Sequence, residues 1–333
     1  MKSRCTGIAK PDKYLKKIFC RPTDTTDSKL SLFNILEERA KAKIEEAERN
    51  GFKEGTGLDK VKSFLKYERT ALLRTKDCRG RYHVLSHADR VDTESGLGWH
   101  DRAGLATWTE KDLFEVRELT APLRHNIWRY KNKDPKYDPK CRHCGLKYEK
   151  VDHISAECRK LSFTLHKKRH DQIALQIHHA ILRKIGVKTE KLWWTLKPKA
   201  LIKHKDEVVK WDPYAKTVRR IAHNKPDIIW EREKEIRVIE IGCPLDKNVV
   251  STEDEKTKKY GDLASELRRL KPEKTIKIIP IVVGNTGLVS NRAKEYLDSL
   301  ELDLPLQALQ KTAAIQTIRI INSHKPARGG KAT

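Results

Sequence analysis

Between residues 168 and 186 apolar and polar positions alternate with a helical period: Ile173, Ile177, Ile181 and Ile185 recur every fourth residue, and Gly186 closes the run. That spacing predicts an amphipathic helix with one apolar stripe. From about residue 207 the pattern changes to short runs rich in Ile and Val. Ile228–Trp230, Ile236–Ile241 and Ile276–Val283 predict strands, with a helix over about 253–270 between the second and third. Two more helices are predicted at about 289–299 and 304–321. Upstream, the charged run 31–49 predicts a helix stopped by Asn50-Gly51, and 57–76 predicts a second. Residues 77–107, rich in Gly, Asp and His, read as loop. Thr109, with Glu110 and Asp112, opens a helical pattern that runs to about Tyr130 and is broken by Pro135 and Pro139. Residues 1–30 show no clear period and the tail HKPARGGKAT is basic, so both are expected to be poorly ordered. No internal repeat is present.

Charge narrows the class of partner. Lys and Arg number 71 against 46 Asp and Glu, a formal balance of +25 in 333 residues. Such an excess favours a polyanion, and phosphate backbones are the commonest one. Hydrophobic residues, at 38%, suffice for a core that is small for this length. No run approaches the roughly 18 apolar residues of a membrane helix, and the N-terminus MKSRCTGIAKPDKYLKK has no apolar signal core. No membrane partner is expected, and an intracellular, nuclear location is. There are seven cysteines, an odd number, and three of them cluster with a histidine, which in a reducing compartment favours metal over disulfides.

That cluster is CRHCGLKYEKVDHISAEC, residues 141–158, with the spacing Cys141-x2-Cys144-x8-His153-x4-Cys158. Three thiolates and one imidazole are the donor set that Zn²⁺ prefers in a closed tetrahedral site. Because protein fills all four positions, the zinc is expected to be structural. His143 is a spare imidazole and is not read as a ligand. The eight-residue gap is longer than the four of a retroviral knuckle.

A second constellation lies around HNKPDIIWEREKEIRVIEIGCP. Asp227 follows Pro226 and starts a strand, and Glu240 sits inside the apolar strand VIEIG thirteen residues later. A carboxylate among Ile and Val is costly unless something compensates it. Two strands joined by the turn EREKE would set Asp227 beside Glu240, where both could hold Mg²⁺ through oxygen. That is the core of the PD-(D/E)xK nucleases, which also need a cationic group near the phosphorus. The usual lysine position, two after Glu240, is Gly242. A replacement is available on the next helix. At about 100° per residue, Tyr260, Leu263, Ala264 and Leu267 form the apolar stripe; Lys256 falls inside it, Lys259 at its edge and Lys258 on the far side. Lys256 is therefore named first and Lys259 second, with an ordinary solvated basic face as the alternative.

The expected fold is thus α/β, with three or four central strands: a PD-(D/E)xK restriction-like nuclease core after a CCHC zinc knuckle and a mostly helical N-terminal linker. The expected division is a linker region over 1–135, the knuckle over 136–165, a connecting helix over 166–200 and the endonuclease domain over 201–325. Trp193, Trp194 and Trp211 are read as core residues in preference to base-stacking ones, His178 and His179 as helix-surface residues, and Cys243 as a small core residue.

Taken together these motifs resemble the C-terminal region of non-LTR retrotransposon proteins of the restriction-like endonuclease class. TEKDLFEVRELTAPLRHNIWRYKNK looks like the helical linker before that family's knuckle; CRHCG, DHI and Cys158 are similar to its CCHC element. Arg169-His170-Asp171 sits where members carry a similar basic pair, and KPDII, VIEIGCP, EKTKKYGDLA and IIPIVVGNTG look like successive pieces of the nuclease. The likeness runs from about residue 105 to 300. It implies that Asp227 and Glu240 are the metal-binding acids, that Lys256 and Lys259 match the helix lysines to which the family's catalytic lysine has moved, either of them being able to fill that role, and that Gly242 does not signal inactivity. It also implies a double-stranded DNA target that is nicked, and leaves room for element RNA and for a reverse transcriptase acting in trans. The chain has no adjacent Asp-Asp pair and so lacks the polymerase signature. Two other readings stay open: a catalytically silent nucleic-acid-binding remnant, and an adaptor that uses the knuckle alone.

Overall fold

The computed structural model describes residues 26–75 and 80–326, with the side chains of 26–37 and 69–75 outside that description. Of the stretches expected to be poorly ordered, 1–30 and 324–333, residues 1–25 and 327–333 lie outside the described residues; 26–30 instead belong to a helix, and His324 is buried. The chain divides into two compact units, Met1–Thr75 and Lys76–Thr333. In the first, helices α1 (Thr26–Arg49) and α2 (Gly57–Thr75) pair around buried Ala47 and Phe64. Phe52, in the connection, sets its ring 5.9 Å from Phe64 and 5.8 Å from Tyr67.

The second unit opens with four short helices: α3 (Arg81–Ser86), α4 (Thr93–Arg102), α5 (Thr107–Arg117) and α6 (Arg124–Tyr130). Two of them fall where the sequence reads as loop. Asp92 caps α4 by accepting the Ser95 N–H at 2.9 Å, and Tyr82 and Trp99 are buried, so the few large apolar residues of a polar stretch carry it. The helix expected over 109–130 is broken because Leu119 takes a left-handed conformation at φ 56°.

Helix α7 (Lys167–Lys184) carries the predicted isoleucine stripe. It leads into a five-stranded sheet of β1 (Leu201–His204), β2 (Glu207–Trp211), β3 (Ile228–Glu231), β4 (Glu235–Gly242) and, after α8 (Val249–Lys259) and α9 (Gly261–Leu270), β5 (Thr275–Val282). The strands lie in chain order; β1 to β4 are antiparallel, and β5 runs parallel to β4 through the helical crossover. Helices α10 (Ala293–Asp298) and α11 (Leu306–Asn322) follow. The architecture is mixed α/β, with the β1–β2 hairpin added to the three predicted strands. That hairpin carries charged residues and is only partly buried, so its apolar signal is weak.

Strand alternation divides the core into two layers. Ile228, Trp230, Ile239 and Ile241 face α7, α10 and α11; Ile229, Ile236 and Val238 face α9, with Tyr260, Leu263, Ala264 and Leu267. The single helix expected over 253–270 is two, because Tyr260 leaves helical geometry between α8 and α9. Among the described residues no helix is long and apolar enough to cross a membrane.

His178 and His179, expected on the helix surface, are buried, because α7 is covered on more than its isoleucine stripe. Trp211 is partly buried against the core and edge-on to His178 at 5.2 Å, whereas Trp194 is exposed. Neither ring nitrogen of His178 has a hydrogen-bond partner among the described residues. Burial pushes its pKa from 6.5 down to about 4. The unfolded chain therefore takes up this proton first, and stability is lost as pH falls from 6.5 towards about 4, with no effect above that window. We expect His178→Leu to flatten the acid limb of thermal unfolding there by up to about 3 kcal/mol. An acid limb that the substitution leaves unchanged would contradict a neutral buried imidazole.

Candidate active site and metal centre

The β3–β4 ladder pairs Ile228 with Ile239, so the next position outward sets Asp227 against Glu240. Here side chains take over from the ladder. The Asp227 N–H donates to Glu240 Oε2 at 3.3 Å, and Asp227 Oδ2 accepts the Ile241 N–H at 2.7 Å. His170 Nε2, from α7, lies 3.2 Å from the same Oδ2, and its Nδ1 lies 3.1 Å from Asp171. Glu240 is 3% exposed, flanked by fully buried Ile239 and Ile241.

The electrostatics split the pair. Burial opposes ionisation of Asp227, but the His170 hydrogen bond and charge, the Ile241 N–H and Lys256 outweigh it and hold the carboxyl below its usual range. For Glu240, burial and then the Asp227 charge push the pKa up, against Lys256 and Lys259. Burial alone would lower His170; its bonds to Asp171 and Asp227 overcome that and raise it to about 9, so the imidazole is charged at neutral pH.

Lys256 Nζ lies 2.8 Å from Glu240 Oε1, Lys259 Nζ 3.6 Å from the same oxygen, and Lys258 is exposed. This is the order expected from helical angle. Gly242 has a steric reason. A Cβ there would lie 3.0 Å from Lys256 Cε, 3.2 Å from Val282 Cγ2 and 3.3 Å from Thr252 Cγ2. The stem of Lys256 thus fills the space that a side chain at 242 would need. Tyr260, buried below, donates to the Lys225 carbonyl at 2.9 Å and fixes the approach to Asp227.

The second cluster is also assembled. The side-chain donor atoms of Cys141, Cys144, His153 and Cys158 all lie within 4.8 Å of one another, so these residues could hold a metal ion such as zinc. Cys141 Sγ and Cys158 Sγ are 3.9 Å apart, and Cys144 Sγ and His153 Nε2 3.4 Å apart. Tetrahedral zinc with bonds of about 2.3 Å to sulfur needs an S···S distance of about 3.8 Å. The turn that brings the first two thiols together closes on Gly145, left-handed at φ 65°, whose N–H donates to the Cys141 carbonyl at 2.8 Å. The Arg142 guanidinium clamps the fully buried Glu149 at 2.7 and 2.9 Å. Burial pushes the Cys141 thiol up to about 11, a cost to the thiolate that a bound cation would remove. The His143 ring meets His324 instead, Nε2 to Nε2 at 2.6 Å.

Sequence reading gave His170 no role beyond a resemblance, because its partner Asp227 is 57 residues away. Arg169, beside it, is 2% exposed and was equally hidden. No family model matches this chain, and no curated protein matches it.

The metal centre is testable directly. Titrating the purified chain with Co²⁺ should give one equivalent of tetrahedral thiolate-ligated spectrum, displaced by Zn²⁺. Cys144→Ser should weaken binding by at least about tenfold and expose residues 136–165 to protease, since metal binding and local folding are coupled. A chain whose protease sensitivity there ignores both metal and mutation would rule the centre out.

Proposed function

We propose that this chain is a Mg²⁺-dependent DNA endonuclease that nicks a double-stranded target in the nucleus, of the restriction-like kind found at the C-terminal end of non-LTR retrotransposon proteins. The observation that carries the reading is the placement of Asp227 and Glu240 side by side on antiparallel strands with the Lys256 ammonium 2.8 Å from Glu240.

The donors fit a hard divalent cation. Both are carboxylates, the hydrogen bonds of Asp227 engage Oδ2 and leave Oδ1 for a ligand, and the burial and the Asp227 charge that together raise Glu240 are what a cation would offset. When bound, the ion supplies Lewis-acid polarisation of the scissile phosphate and a lowered pKa for an attacking water. His170 keeps Asp227 ionised and oriented. Lys256 brings positive charge to where charge builds on phosphorus, and Lys259 adds to it from the edge. The net charge of +25 supplies backbone affinity for DNA, independent of base sequence. The Cys141, Cys144, His153 and Cys158 centre, with no ligand position left for chemistry, is structural in this reading.

One observation favours the catalytically silent binder as a second reading. Lys256 and Lys259 both pair with Glu240 Oε1, so the carboxylate is already partly neutralised without a cation.

Nicking of supercoiled plasmid separates the two. Cleavage should require Mg²⁺ and stop with EDTA. Asp227→Ala and Glu240→Ala should reduce it to background while leaving DNA affinity about unchanged, because affinity rests on phosphate contacts. Lys256→Met should slow it by about 10²–10³. DNA binding without Mg²⁺-dependent nicking in the wild type would replace the nuclease by the silent binder. Loss of DNA binding in either acid variant would remove the catalytic assignment.

A further inference from the structure

Arg169 is almost fully buried, and its guanidinium spends its hydrogen bonds on three separate parts of the second unit. Nη1 donates to the Ser155 carbonyl at 2.8 Å and to Thr317 Oγ1 at 2.9 Å; Nη2 donates to the Cys243 carbonyl at 3.0 Å. Ser155 lies in the π-helical turn His153–Glu157, between the metal ligands His153 and Cys158. Thr317 is on α11. Cys243 follows the last residue of β4, three positions beyond Glu240. The next residue along α7, His170, holds Asp227. A single planar fork therefore joins the turn that carries two metal ligands to the end of the strand that carries Glu240, on a helix that also touches Asp227. Ser155 makes a second, parallel link: its hydroxyl accepts from Asn285 Nδ2 at 3.2 Å, and Asn285 Oδ1 accepts the Asp246 N–H at 3.0 Å.

We propose that Arg169 is a positioning residue that couples the Cys141/Cys144/His153/Cys158 metal centre to the Asp227/Glu240 pair. Ligation of His153 and Cys158 fixes the turn between them and so the direction of the Ser155 carbonyl. That carbonyl anchors Arg169, and Arg169 anchors the chain just beyond Gly242. A buried guanidinium that loses an acceptor must find another or draw in water, so release of the turn is felt at Cys243 and at the neighbouring His170. Lysine cannot replace this fork, since one ammonium does not reproduce the planar spread of donors. The catalytic consequence rests on the nuclease reading above; the structural coupling does not.

The test is a four-way comparison on the full chain: wild type and Arg169→Lys, each zinc-loaded and after zinc removal with a high-affinity chelator. Two quantities are read, the hydrogen exchange of the Ile241 amide, which is bonded to Asp227 Oδ2, and the single-turnover nicking rate at saturating DNA. Zinc removal from the wild type should speed exchange at Ile241 by at least about tenfold, and Arg169→Lys should do the same with zinc in place. In the variant, chelation should add little, the mark of one shared path. Nicking should fall in parallel with DNA affinity retained. Thr317→Val, which removes one side-chain acceptor, should shift exchange in the same direction by less, and serves if the lysine variant does not fold. Unchanged exchange at Ile241 on zinc removal overturns the proposal, as do effects of zinc removal and substitution that multiply independently. Coupled exchange in a wild type that never nicks would keep the coupling and reject the nuclease.

Discussion

Glu240 is a carboxylate in the middle of an apolar strand, and keeping it there costs several kcal/mol unless it is compensated. Much of the surrounding structure serves that compensation. The Asp227 amide reaches it because β3 and β4 are in register, and Lys256 reaches it because α8 crosses over the end of β4. Gly242 leaves the room for the lysine stem to pass. Even so, Glu240 stays pushed towards its neutral form by burial and by Asp227, while His170 holds Asp227 ionised. Two carboxyls with environments that drive their pKa values apart, ringed by cations, are an arrangement that spends stability, and such sites cluster where function is.

Much of this could be read from the sequence because it depends on local periodicity. The runs at 228, 236 and 276 became strands, the isoleucines of α7 became a core stripe, and a helical wheel ranked Lys256 before Lys259 and Lys258. The clustering of Cys141, Cys144, His153 and Cys158, which could hold a metal ion, was legible from spacing alone, since a turn and a short helical segment bring them together within eighteen residues. What stayed hidden depends on distant partners. Tyr82 and Trp99 order a stretch that looks like loop only because their packing surface comes from far along the chain: Leu288 packs with Tyr82, and a side chain at Gly287 would collide with the Trp99 indole. The left-handed Leu119 and the break at Tyr260 cut helices whose hydrophobic pattern runs on unbroken. His178, His179, His170 and Arg169 read as polar helix positions until the sheet and α11 are placed around them.

The Cys/His cluster does not stand apart from the rest of its unit. Val151, Ile154 and Leu161 share a buried cluster with Ile320 and Ile321 of α11, and Arg142 donates to the His324 carbonyl at 2.8 Å. Polar residues bridge the same contact: Arg169 joins the Ser155 carbonyl of the turn to the Cys243 carbonyl just beyond β4. A buried polar link of this kind is costly to break, so in the proposed coupling a change at the Cys/His cluster has a short route to the carboxylates.

In the proposed function the Asp227/Glu240 pair is a divalent-cation site. Mn²⁺ binding to the zinc-loaded chain and to its Glu240→Gln variant, followed by electron paramagnetic resonance, examines that pair without relying on cleavage. One Mn²⁺ should bind per wild-type chain, be competed by Mg²⁺ and be lost in the variant. Stoichiometric Mn²⁺ binding that survives Glu240→Gln, or no binding by the wild type, would contradict this assignment.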